Sequence, residues 1–126
     1  MALQSPLSKA IGLGSAKHGF SHWWLQRVSA VALIPLSLWF VFSIISLISA
    51  DHATVVAWMS SIFNASLLII FVCALLYHAQ TGLQVVIEDY IHNKLINLIL
   101  MYAMKFSAVV LGAIAIISVL KVAFGA

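Results

Sequence analysis

From Ile62 to Ile87 the chain runs 26 residues, IFNASLLIIFVCALLYHAQTGLQVVI, without one Lys, Arg, Asp or Glu. A helix of roughly 20 apolar residues crosses the ~30 Å hydrocarbon core of a bilayer, so this run is long enough to be a transmembrane span. The rest of the chain fits that solvent. Charged residues make up 7% of it, against about 25% in soluble domains, which marks an integral membrane protein. Two spans would leave long apolar stretches unexplained, and four would leave almost no connections in 126 residues. The expected fold is an all-α membrane protein with three transmembrane helices. A single membrane domain covers 1–126, with a tail over 1–22 and spans over about 23–50, 62–87 and 95–124.

The six basic residues, Lys9, Lys17, Arg27, Lys94, Lys105 and Lys121, form no cluster, and the net charge is only +3. Nucleic-acid binding has no support in that pattern. The single Cys73 lies inside the second apolar segment, reads as a packing residue, and supplies no disulfide framework. The first twenty residues, MALQSPLSKAIGLGSAKHGF, lack the apolar core of a secretory signal, and their Gly and Pro favour an irregular tail.

Orientation follows from the basic residues. The tail and the entry to the first span hold Lys9, Lys17 and Arg27, the first connection holds none, and the second holds Lys94. The positive-inside rule puts the N-terminus and the Glu88–Lys94 connection in the cytoplasm and the C-terminus outside. Trp23 and Trp24 read as an aromatic belt at the entry to the first span, and Trp58 as its counterpart in the first connection. Pro35 falls inside the first span, where it can kink the helix. The last segment, 34 residues from Asn93, is longer than one span needs. Phe106–Val119 reads as its deep part, with Lys105 and Lys121 snorkelling to opposite interfaces and Leu95–Met104 as a cytoplasmic extension. In the competing placement the span starts at Leu95 and Lys105 lies near the depth of His78.

His78 sits about ten residues before the acidic pair Glu88-Asp89, roughly 15 Å below the interface that the pair marks. An ionisable side chain at that depth marks a functional site by default. Zinc requires three or four ligands, and a proton relay requires a chain of acidic groups and His; the sequence offers neither. Two readings stay open from spacing alone. A haem iron takes one axial His from each of two subunits, and a core histidine bonded to a Ser or a backbone carbonyl needs no ligand at all.

The segment HAQTGLQVVIEDYIH, His78 to His92, resembles the second helix and following connection of the hydrophobic membrane anchor subunit of succinate dehydrogenase. The pattern is His78, Gly82, Gln84-Val85 and Asp89-Tyr90. HWWLQRVSA, His22 to Ala30, is also similar to the entry of that subunit's first helix. The sister cytochrome subunit usually opens with Ser-x-x-His-Arg-x-Thr-Gly, which this chain lacks, so the smaller anchor is the better match.

The resemblance implies one half of a haem-binding helical bundle, completed by the sister cytochrome b anchor subunit and carrying the iron–sulfur and flavoprotein subunits on its cytoplasmic face. His78 would be an axial ligand of haem b. Gly82, one turn on, would let the porphyrin edge approach, or would serve close helix packing. Tyr90 would donate a hydrogen bond to a ubiquinone carbonyl, with Asp89 beside it; without the match Tyr90 reads as an interfacial anchor and Asp89 as an exposed carboxylate. Arg27 is a candidate for a haem propionate or the quinone pocket, or else snorkels to lipid phosphates; His22 and His18 are further propionate candidates. His92, His52 and Glu88 read as exposed connection residues. No residue here is expected to oxidise succinate. The implied location is a bacterial cytoplasmic membrane, with the mitochondrial inner membrane second. Two alternatives remain: the anchor of a quinol–fumarate reductase, which runs the flux in reverse, and a non-catalytic membrane scaffold.

Overall fold

The computed structural model describes residues 5–7 and 19–125, and there all the regular secondary structure is helical. Within residues 19–125 four helices follow one another: α1, Gly19–Leu47; α2, His52–Ser60; α3, Ile62–Tyr90; and α4, Lys94–Phe124. Three of them, α1, α3 and α4, are long and apolar enough to cross a membrane. Only 6% of each one's most apolar window is buried within the chain. Apolar side chains therefore cover the outside as well as the contacts, which suits lipid or another membrane protein as the surroundings.

The helix ends follow from their caps. Helix α1 is already helical at Gly19, the first described residue of that segment and one expected to be irregular tail, and it continues through Pro35 to end at Leu47. The first connection is more ordered than a simple turn. Asp51 accepts a hydrogen bond from the Thr54 N–H at 3.0 Å and so starts α2. Trp58 of α2 stacks on Trp39 of α1, with ring centroids 5.8 Å apart, so it works inside the chain and not only as a belt residue. Asn93 caps α4 by accepting from the amides of Leu95 and Ile96. Gly125 ends α4 with φ +69°, a left-handed conformation that glycine adopts without strain.

Helix α3 is the middle of the bundle, with α1 on one side and α4 on the other, and α2 lies against α3 and α4. A small apolar core of Ala65, Leu68 and Val119 closes the end near α2, with Trp39, Phe40 and Trp58 packed onto it. Phe40 and Phe71 stack beside it at 4.9 Å. At the opposite end the Asn97 amide donates to the carbonyls of Ile87 and Ile91, tying the first turns of α4 to the end of α3. The segment Leu95–Met104 thus starts as a continuous helix held by its own chain. Met104 and Ser107 line one groove with Gln80 and Leu83, which sets Lys105 closer to the Tyr90 end than His78 is.

Candidate functional site

Where α1 and α3 cross, polar side chains meet inside an apolar pair. The Ser29 Oγ of α1 lies 3.2 Å from the His78 Nδ1 of α3. Ser29 is buried, and the same Oγ donates to the Gln26 carbonyl at 2.7 Å. Thr81 is 3% exposed and its hydroxyl bonds back to the carbonyls of Tyr77 and His78. Small polar residues at such a contact let two helices approach closely while their hydroxyls satisfy backbone carbonyls. His78 itself is half-buried. Its Nε2 has no hydrogen-bond partner among the described residues.

Gly82 stands one turn beyond His78, on the same face of α3. A Cβ added there would meet only the Gln26 side-chain amide, at 3.8 Å. That is ordinary contact, so packing within the chain does not require a glycine. Gly112 of α4 is the opposite case: a Cβ there would lie 3.2 Å from Leu76 Cδ1, so the α3–α4 approach depends on its absence.

Asp89 and Tyr90 close the last turn of α3 and are both exposed, Tyr90 at 76%. At about 100° per residue, Asp89 returns to within about 20° of the His78 face, while Tyr90 is turned about 120° away. Neighbouring Glu88 accepts a hydrogen bond from the Gln84 side chain at 2.8 Å. Arg27 lies one turn or less from Ser29 and stacks over the Trp23 ring, 5.2 Å from its centroid. With Trp24, Val28, Val31 and Ala32 it lines an open groove of about 400 Å3. The side chain of His22 and the whole of His18 lie outside the described residues. His92 and His52 are exposed, as expected of connection residues. His92 also lines a groove with Lys94, Tyr102 and Lys105.

The geometry therefore brings His78, Gly82, Ser29 and Gln26 together and leaves Tyr90 and Asp89 at the helix end, away from that contact. Ser29 was visible in the sequence only as one more serine in an apolar helix. The available signal was its place two residues after Arg27, in the segment that carried the resemblance.

The model of the succinate dehydrogenase/fumarate reductase transmembrane subunit family matches residues 1–120. The chain belongs to this family. It is 39% identical over 105 residues to the succinate dehydrogenase hydrophobic membrane anchor subunit of Rickettsia bellii, covering 82% of this chain and 84% of that protein. To the succinate dehydrogenase membrane anchor subunit of Reclinomonas americana it is 32% identical over 96 residues, 74% and 80% of the two chains. The hydrophobic membrane anchor subunit of Paracoccus denitrificans is 29% identical over 122 residues, 97% and 94% of the two. No solved structure matches the chain. The resemblance read from His78–His92 and His22–Ala30 is thus borne out for the family, as is the three-span helical fold of a multi-pass membrane protein.

Proposed function

We propose that this chain is the small membrane anchor of a succinate:ubiquinone oxidoreductase and that His78 supplies one axial ligand to a b-type haem, the sister anchor supplying the other. The observation that carries the haem assignment is the Nε2 of His78 at mid-span, which has no hydrogen-bond partner among the described residues. A histidine kept only for packing would satisfy both ring nitrogens, because a bare polar atom in an apolar medium costs about 1–3 kcal/mol. Ser29 meets Nδ1 alone, which leaves the Nε2 side of the ring for iron. Gly82 adds support, since the chain's own packing leaves room above that turn.

A haem held by His78 would supply a one-electron redox centre. The residues of this chain bind and orient. Tyr90 donates a hydrogen bond to a quinone carbonyl and strengthens it as negative charge develops on that oxygen. Asp89 sits beside Tyr90 on the His78 face of α3, and Arg27 is placed along α1 to meet a propionate or the quinone. With the N-terminus and the Glu88–Lys94 connection in the cytoplasm, Tyr90 lies on the side where the iron–sulfur and flavoprotein subunits dock. Those subunits oxidise succinate; this chain receives no substrate other than quinone. The names of the relatives favour succinate oxidation over fumarate reduction as the working direction.

The test is a reduced-minus-oxidised spectrum of the assembled complex carrying His78→Ala or His78→Leu. Both variants are expected to lose or loosen the low-spin b-type haem, because volume cannot replace an imidazole. An unchanged haem content and spectrum in both would make His78 a core residue.

A further inference from the structure

We infer that Ser29 is a positioning residue for His78, fixing the ring in the tautomer that leaves Nε2 free to bind a metal. The inference rests on the reading of His78 as an axial ligand and goes one residue beyond it, onto a different helix. A serine hydroxyl has one hydrogen and two lone pairs. The Ser29 hydrogen goes to the Gln26 carbonyl, the shorter of its two bonds at 2.7 Å. Toward His78, 3.2 Å away, the same oxygen has only a lone pair to offer. The bond exists only if Nδ1 carries the ring hydrogen. A neutral imidazole has one, so Nε2 is bare. Burial of Ser29 at 8% exposure keeps water from substituting for either partner.

Two consequences follow for an iron held at Nε2. The ring plane is fixed from α1, so ligand orientation depends on how α1 and α3 pack. Donation from Nδ1–H also raises the basicity of Nε2, which favours the ferric over the ferrous state. Loss of the acceptor therefore moves the midpoint potential upward.

The experiment uses the whole complex, with Ser29→Thr, Ser29→Ala and Ser29→Cys beside His78→Ala. The readouts are the haem midpoint potential and the g-values of the low-spin ferric signal. Ser29→Thr keeps a hydroxyl and should match the unmodified complex in both. Ser29→Ala should keep the haem, raise the potential and change the g-values. Ser29→Cys, close to serine in volume but a weak acceptor, should shift the same way and serves as the reading if the alanine complex does not assemble. Potentials and g-values unmoved in the alanine variant, or in the cysteine variant where alanine fails, overturn the inference. So does a shift in Ser29→Thr equal to that in Ser29→Ala. If His78→Ala leaves the haem unaltered, the axial-ligand reading has failed first; if it removes the haem while the Ser29 variants change nothing, only the positioning role is lost.

Discussion

The two halves of α3 differ in how far the chain completes itself. Around Ala65 and Leu68 the helix is covered by Val119 of α4, by the Trp39–Trp58 stack and by the Phe40–Phe71 pair. The packing partners there are aliphatic and aromatic side chains of this chain, with one polar tie from the Asn64 amide to the Trp58 carbonyl at 2.9 Å. From His78 to Tyr90 the pattern reverses. The contact with α1 is polar, Nε2 of His78 has no partner among the described residues, Gly82 has room for a Cβ beside the Gln26 amide, and Tyr90 points its bulk outward from the helix end. One half is held by packing, and the other is where the proposed haem and quinone contacts fall. In a membrane, where lipid removes the hydrophobic drive between helices, such a division has to be built from shape and hydrogen bonds.

The two glycines are the place to break that contrast. Gly112→Leu inserts a side chain where even a Cβ lies 3.2 Å from Leu76. Overpacking of this kind destabilises by about 1–3 kcal/mol, and thermal unfolding in detergent should show the loss with or without haem. Gly82→Leu should leave that unfolding nearly unchanged, because its first carbon meets only a flexible Gln26 amide at 3.8 Å. Its effect should appear as lower haem occupancy in the complex. Equal loss of stability from both substitutions would erase the distinction between the halves.

Tyr90→Phe sharpens the same contrast at the helix end. Phenol and benzene have nearly the same shape, so the change removes a hydroxyl and little else. A lost hydrogen bond to a bound carbonyl is worth about 0.5–1.5 kcal/mol, roughly two- to tenfold in rate or affinity. Quinone reduction should fall by at least that factor while succinate oxidation with an artificial dye acceptor survives. Haem content should hold, since twelve residues along α3 separate Tyr90 from His78 by about 18 Å. Full quinone turnover and inhibitor affinity in Tyr90→Phe would return Tyr90 to the role of interfacial anchor.

Much of this was legible in the sequence because the bilayer makes polar residues conspicuous. An uninterrupted run of 26 uncharged residues has one structural solution in lipid, a helix, and a histidine within it stands out. The spacing from His78 to Tyr90 then carried the family. What stayed hidden depends on which helix face meets which. Ser29 looks like any serine bonding back along its own helix, and it does so, to Gln26; its second contact arises only when α1 crosses α3. Gly82 and Gly112 are equivalent as letters and differ only in whether a neighbour stands within reach of a Cβ. Trp58 read as a belt residue because the signal for an interfacial tryptophan is position. Its stack on Trp39 depends on α2 forming, and α2 depends on Asp51 as a cap.

That cap gives the smallest expected effect, and it belongs wholly to the half that completes itself. Hydrogen bonds from Thr54 hold the Asp51 carboxylate below its ordinary value of 3.8. A carboxylate whose folded value is depressed stabilises the fold above its unfolded value, and that contribution is lost as pH falls through the folded value. Asp51 therefore adds nothing pH-dependent near neutrality, and its contribution to α2 drains away only below about 3.8. Asparagine caps a helix nearly as well without titrating. Hydrogen exchange of the His52–Ser60 segment, corrected for intrinsic rates, should hold its protection down to about pH 4 and lose it as the pH falls below about 3.8 in the unmodified chain. In Asp51→Asn the same segment should show protection that no longer depends on this titration, while exchange around His78 is alike in both. If the two chains lose protection in parallel over that range, Asp51 is not what holds α2 in place. The stack of Trp58 on Trp39 would then have to order the connection without help from the cap.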